Sequence, residues 1–315
     1  MNRVPPAAGE GAEDKAGPPP IMVGTAGWAY SDWEGIVYPE GSRSSLDRLA
    51  WMARFVDIME INSTFYRAPR PGDVRSWVDR VKHRPGFRFS AKLERVFTHL
   101  SDPPPAGAET RFKKGIEPLA AAGRLAALLV QFPISFKNQP ENRRRLARLL
   151  ARFSEYPLAV EIRDRGWLDS RFMEFLTARG VALAGIDQPQ IGASVGPSLP
   201  RTASFFYVRL HGRNSANWFR QEAGRDARYD YLYSPRELDP WLGWMKEAAA
   251  AGTPGVVIAN NHYRGQAAVN AVEIRAALRK RKVKAPAPLI RTFPHLADVA
   301  ESLPAQALKK QPRLF

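Results

Sequence analysis

Eight short apolar runs, each with a polar residue at its end, recur along the 315 residues, and stretches with helical amphipathic spacing follow all but one of them. This recurrence constrains the fold more than any other feature. Strands separated by helices must pair in parallel, because antiparallel hairpins need short turns. The runs are IMVGT (21–25), VDIMEIN (56–62), FRFSAKL (87–93), LAALLVQF (125–132), LAVEIRD (158–164), VALAGID (181–187), FFYVRLHG (205–212) and GVVIANN (255–261). They share no fixed repeat sequence. Their nearly continuous apolar character is what a parallel sheet covered on both faces requires. Helical spacing occupies 44–55, 72–83, 109–123, 139–154, 169–179, 236–251 and 266–281, the first opening on a serine cap ahead of an apolar stripe. The sixth connection, 188–203, is rich in Gly, Pro and Ser and is expected to be a loop.

These elements predict an α/β chain folded as a (β/α)8 TIM-type barrel over residues 21–282. A flexible leader over 1–20 and a Pro-containing basic tail over 283–315 flank it. The alternative is an open doubly wound sheet. The turn after the first strand, GTAGW, lacks the GxGxxG phosphate fingerprint of that fold. A hydrophobic fraction of 44% is enough for one sizeable core, and no apolar run of about 18 residues offers a membrane span. The leader has no apolar segment of the signal-peptide kind. The absence of cysteine removes disulfides, thiolate nucleophiles and Cys-ligated metals, and fits a cytoplasmic location.

In barrels of this type, sites lie at the C-terminal strand ends. There the second strand carries Glu60 and Asn62. The third carries Lys92, with His99 soon after, and the fourth Gln131. The fifth carries Glu161 and Arg163, the sixth Asp187, the seventh Arg209, His211 and Arg213, and the eighth Asn260 and Asn261, followed by His262. Ionisable residues inside apolar strands are unfavourable unless paired or solvated, so their gathering at one end marks a site. A structural alternative for Glu60, Glu161, Arg163 and Arg209 is a salt-bridge network closing the barrel.

Aromatic residues crowd the same end: Trp28, Tyr30, Trp33 and Tyr38 in the first loop, and Phe65 and Tyr66 in the second. The long seventh loop, 211–235, interleaves Trp218, Phe219, Tyr229, Tyr231 and Tyr233 with Arg213, Arg220, Arg225 and Arg228. Such loops are often lids or binding loops. Aromatic faces stack on bases or sugars, and arginine binds phosphate. A formal net charge of +16 favours polyanionic partners, nucleic acid foremost.

The segments GTAGWAYSDW (24–33), MEINSTFYRAP (59–69), FSAKL…TH (89–99), LLVQFP (128–133), VEIRDRGW (160–167), YVRLHGR (207–213) and ANNHYRGQAAVNA (259–271) stand in order. Together they resemble the family labelled domain of unknown function 72, the YecE-like proteins, over roughly residues 21–280. The resemblance implies a TIM-type barrel. The likeness of that barrel to endonuclease IV implies DNA binding or repair. One departure matters: endonuclease IV holds a zinc cluster on many His and carboxylate ligands, whereas this chain has five histidines and no HxH or HExxH spacing. At most one divalent metal is expected, on His99, His211 or His262 with Glu60, Glu161 or Asp187.

The leading expectation is therefore an enzyme that binds and processes nucleic acid, acting on a DNA phosphodiester or damaged nucleotide. Glu60 or Glu161 would be the base, His211 the acid, and Lys92 a phosphate ligand or a Schiff-base nucleophile. Trp28 and Tyr66 would stack an extruded base. Asn62, His99, Gln131, Arg163, Asp187, Arg209, Arg213, Asn260 and Asn261 would bind substrate. The alternatives are a glycoside hydrolase using Glu60 and Glu161, and a non-catalytic nucleic-acid adaptor. The terminal QPRLF resembles the QLxLF-type peptide that docks on the bacterial β sliding clamp, with Gln311, Leu314 and Phe315 as contacts and Pro312 a departure.

Overall fold

The computed structural model describes residues 20–42, 46–100, 103–216 and 227–303. Its main sheet is all parallel and runs β6-β5-β4-β3-β2-β1-β9-β8-β7. In chain order the strands are β1 (Ile21–Ala26), β2 (Ile58–Ile61), β3 (Arg88–Lys92), β4 (Leu125–Gln131) and β5 (Leu158–Glu161). They continue with β6 (Ala182–Leu183), β7 (Gly185–Asp187), β8 (Phe206–Leu210) and β9 (Gly255–Ala259). Only Ala184 separates β6 from β7. The first pairs with β5 and the second with β8, so these two pieces are one barrel strand and the sheet closes on itself. The eight expected strands are all present.

Alternation along each strand sorts the side chains. Ile58, Ala127, Leu129, Ala159, Ala182, Ile186, Tyr207, Val256 and Ile258 fill the barrel interior. Val23, Met59, Phe89, Val208 and Val257 on one side, and Leu128, Val130 and Val160 on the other, pack against the surrounding helices. Two residues beyond the inward Ile58, Leu129, Ala159, Tyr207 and Ile258, in the same alternation, stand Glu60, Gln131, Glu161, Arg209 and Asn260. The apolar interior thus gives way to a polar layer at the C-terminal end.

Six of the expected helices appear as Pro71–Arg80, Ala108–Ala121, Pro140–Arg152, Ser170–Thr177, Pro235–Ala250 and Gln266–Arg279. The first is shorter than its spacing predicts, Arg48–Met52, and its cap is Asp47 rather than a serine. The Asp47 carboxylate accepts from Ala50 N at 3.1 Å and also holds Arg80, which fixes the helix start there. Residues 188–203 carry no helix, as expected. They lie so close to the barrel that a Cβ on Gly185 would meet the Ser198 carbonyl oxygen at 2.4 Å.

Residues 283–303, assigned by sequence to the tail, are folded. Strands β10 (Val283–Pro286) and β11 (Ala300–Leu303) pair in parallel around the helix Ala287–Thr292. Val283, Ala285, Leu289 and Leu296 are buried in the main core. Pro286 and Pro288, two of the prolines that read as tail composition, sit at the start of that helix, where a missing N–H is tolerated. Among the described residues no helix is long and apolar enough to cross a membrane.

Close approach of β1 to β2 depends on Gly24, where a Cβ would fall 1.8 Å from the Ile58 carbonyl oxygen. Gly24→Ala should lower stability by about 2–3 kcal/mol, the range for forced overpacking. Gly72→Ala, in open space on a helix, should be neutral or slightly stabilising. Urea unfolding of the two variants checks this; equal midpoints would show that β1 has room to shift.

Candidate functional site

A cavity of about 500 Å³ opens at the C-terminal ends of the strands. Its wall includes Trp28, Asn62, Tyr66, Lys92, His99, Gln131, Arg163, Arg209 and Asn260, nine of the residues expected there from sequence. Gly27, Tyr30, Ser63, Phe65, Arg228, Tyr229 and His262 complete much of it. Among the described residues no aspartate or glutamate lines it, while four cationic side chains do: Lys92, Arg163, Arg209 and Arg228.

The carboxylates lie beneath the wall. Arg209, 1% exposed, reaches across the barrel. It donates from Nε and Nη2 to Glu60 at 3.0 and 2.6 Å, and from Nη1 to Glu161 Oε2 at 2.5 Å. Arg163 donates to the other Glu161 oxygen at 2.8 Å. The Tyr207 hydroxyl lies 2.9 Å from both Glu60 Oε2 and Ser90 Oγ. Both carboxylates are fully buried. Burial alone would raise the Glu161 carboxyl, but Arg209 and Arg163 hold it well below the usual range. The salt-bridge alternative drawn from sequence therefore describes Glu60 and Glu161. Glu161 therefore lacks the raised pKa that a glycosidase proton donor needs.

His211 is also beneath the wall and fully buried. Its Nε2 faces Glu161 Oε1 at 3.4 Å, and its Nδ1 meets Asn260 Nδ2 at 2.9 Å. Burial, aided by Arg209, pushes its pKa down to about 3, so it is neutral and poorly suited to act as an acid. His99, on the wall, is pushed down to about 4 by burial and by Lys92 and Arg163.

Lys92 ends β3, with its carbonyl held by Thr64 Oγ1 at 2.7 Å and its ammonium 4.6 Å from the Phe65 ring centroid. Burial and the nearby Arg209 push its pKa down to about 8. Glu60 and Glu161 carry two negative charges against the two positive charges of Arg209 and Arg163. A protonated Lys92 adds charge to a group already balanced.

Asp187, Arg213 and Asn261 do not line the cavity. Asp187 accepts from Arg213 at 2.8 and 2.7 Å, from the Tyr233 hydroxyl at 2.9 Å and from Trp241 Nε1 at 2.8 Å. These partners consume its acceptor capacity and anchor the seventh connection to β7. Asn261 donates to the Tyr231 carbonyl at 2.7 Å and to Asn270, which in turn grips Tyr233. The two asparagines thus fasten the end of that connection, which brings Arg228 and Tyr229 to the cavity. Of the metal ligands expected, no group of three or more His, Asp or Glu is assembled among the described residues. Glu60 and Glu161 are turned to guanidinium groups instead.

Two one-turn helices, Ser63–Tyr66 and Arg95–Thr98, follow β2 and β3 and carry or precede Phe65, Tyr66 and His99. They are too short for a periodicity signal. Gly27, at φ 79°, turns the chain after β1, and its amide donates to the Glu60 carbonyl at 2.9 Å. Of the first-loop aromatics, Trp33 and Tyr38 are core residues, whereas Trp28 and Tyr30 face the cavity. Tyr30 stacks on His262 at 4.3 Å, a wall pair that the interleaved aromatics alone do not single out. Trp218, Phe219, Arg220 and Arg225, and the terminal Gln311, Leu314 and Phe315, lie outside the described residues.

A pH dependence follows. His211 binds its proton near pH 6.5 when unfolded and near 3 when folded. Between those values the unfolded chain holds the extra proton, so stability falls as pH falls. The limb should reach up to about 1.4 kcal/mol per pH unit for His211, and less for the part-exposed His99 because solvent screens it. Urea unfolding between pH 7.5 and 4.5 measures it. His211→Asn should flatten the limb; an unchanged slope would mean that His211 titrates normally.

Comparison with known proteins agrees with this architecture. Residues 22–292 match the family described as "Protein of unknown function DUF72". The UPF0759 protein YunF of Bacillus subtilis (strain 168) is 29% identical over 264 residues, 79% of this chain and 92% of that protein. The crystal structure of a DUF72 family protein from Thermotoga maritima superposes with a TM-score of 0.71 at 34% identity, covering 82% of this chain and 99% of that one. One from Enterococcus faecalis also reaches 0.71, at 26% identity over 82% and 95%. With the family matched across nearly the whole barrel, and the same fold found in its solved members, this chain belongs to the DUF72 family.

Proposed function

We propose that the barrel mouth binds a nucleic-acid strand and seats one phosphorylated, ring-bearing unit in the cavity. The observation that carries this reading is the composition of the wall. Lys92, Arg163, Arg209 and Arg228 face the cavity, with no carboxylate among its described lining residues. Such a wall attracts phosphate. Trp28, Tyr30, Tyr66 and Tyr229 supply flat faces for a base or sugar, and Tyr66, 58% exposed, stands at the rim where a strand would enter. Asn62, Gln131 and Asn260 add amides able to donate and accept. A volume of about 500 Å³ falls within the usual range for small-ligand pockets. The net charge of +16 provides the long-range attraction that a polyanion would feel.

In this reading Glu60, Glu161 and His211 are positioning residues. They fix Arg209 and Arg163 from below and leave ligand contact to the cations. Fluorescence anisotropy with labelled single-stranded and duplex oligonucleotides, across a salt series, tests it. Binding should weaken steeply with salt. Arg228→Ala should lower affinity by about 5–10-fold and reduce the salt slope by about one. No binding at about 100 mM salt, or a variant indistinguishable from wild type, would overturn the reading.

A further inference from the structure

We infer that Lys92 is a covalent nucleophile, and that the cavity takes a phosphorylated sugar in its open-chain carbonyl form, which Lys92 captures as an imine. The inference rests on the anion-binding reading above and names the ligand class and reaction of the same site.

The geometry singles out one amine nucleophile. The chain has no cysteine, no carboxylate stands among the described wall residues, and the arginines there are held protonated. Lys92 is the amine on that wall. Among the described residues no group accepts a hydrogen bond or ion pair from its Nζ, which sits instead over the apolar face of Phe65. The charged groups facing it are Arg209 from β8, Glu60 from β2, Glu161 from β5 and Arg163 just beyond it, with His99 neutral on the same wall. Each of the two carboxylates is already committed to a guanidinium. Lys92 is thus a base without a dedicated counter-ion, beside two fixed cations, in a part-buried site. Those conditions free an amine lone pair near neutral pH. The same fixed cations would hold the phosphate of a sugar phosphate, and the amides of Asn62, Gln131 and Asn260 suit its hydroxyls.

The step balances without a co-reactant. The Nζ lone pair attacks the carbonyl carbon, and the C=O π pair moves to oxygen. A proton passes from nitrogen to that oxygen to give the carbinolamine. Loss of the hydroxyl with the remaining nitrogen proton releases water and leaves the C=N bond. His99 is placed on the wall to relay these protons.

A sugar of this kind has two sources: an abasic position in a nucleic-acid strand, or a free pentose phosphate. The full-length protein is incubated with an oligonucleotide bearing one abasic site, and separately with ribose 5-phosphate. Sodium borohydride is present in both arms and reduces any imine to a stable amine. Intact mass and peptide mapping then locate the adduct, while anisotropy measures binding of the same oligonucleotide. One adduct on the Lys92 peptide is expected in at least one arm, and the arm identifies the source. Its formation rate should rise through pH 8 and then level. Lys92→Met should lose it at least about 20-fold, with folding checked by circular dichroism. Mapping the wild-type adduct needs no variant, so the result stands even if Lys92→Met fails to fold. No adduct in either arm, or adducts spread over surface lysines, would overturn the inference. If the oligonucleotide still binds in that case, the anion-binding reading survives; if it does not, both fall.

Discussion

Arg209 is a guanidinium in the middle of a protein interior, and the upper half of the barrel is arranged around it. From β8 it spans the lumen to Glu60 on β2 and Glu161 on β5, so one side chain ties together strands that are not neighbours in the sheet. A buried ion group of this sort contributes little net stability, because desolvation offsets most of the attraction, yet losing one partner costs about 3–5 kcal/mol. Its larger effect is geometric. The planar fork fixes both carboxylates, Glu161 then fixes Arg163, and the cavity floor inherits that rigidity.

The electrostatic consequence reaches the cavity itself. Charge in the interior is balanced among Glu60, Glu161, Arg209 and Arg163, but the negative members are underneath and the positive ones face upward. A nearly neutral cluster thereby presents a cationic surface. Lys92 and His99 feel that surface most directly, and both have their protonated forms disfavoured. The arrangement places nitrogen bases that release their protons more readily than usual in a site that still attracts anions. Free side chains in water combine these properties poorly, since an amine there is protonated at neutral pH.

A second set of polar contacts holds the periphery. Asp187 gathers Arg213, Tyr233 and Trp241, while Asn261 and Asn270 secure the backbone of residues 231–233. By sequence position Asp187 and Arg213 look like the residues of the cavity, since all end barrel strands. The difference is where their partners come from. Asp187 meets side chains from the helix Pro235–Ala250 and from the connection before it, whereas Arg209 pairs with carboxylates on strands across the lumen.

The sequence by itself determined the barrel, its strand number, the end at which polar residues collect, and most of the cavity wall. Those properties are local. Apolar runs ending in one polar residue, separated by amphipathic helices, admit parallel pairing and little else, and the period of two sends Glu60, Gln131, Glu161 and Arg209 inward together. Only the tertiary structure decided which of these residues face the cavity and which face each other. By sequence Glu60 and Glu161 read equally as catalytic carboxylates or as members of a salt-bridge network; the fold brings Arg209 to both from across the barrel, 149 and 48 residues away in the chain. Residues 283–303 read as a tail until Leu289 and Leu296 are seen in the core. One-turn helices such as Ser63–Tyr66 are too short to leave a periodic signature, and their side chains are placed by neighbours on other strands. A residue's exposure, its partners and the pKa that follows from them are sums over the whole fold, and no window of sequence contains that sum.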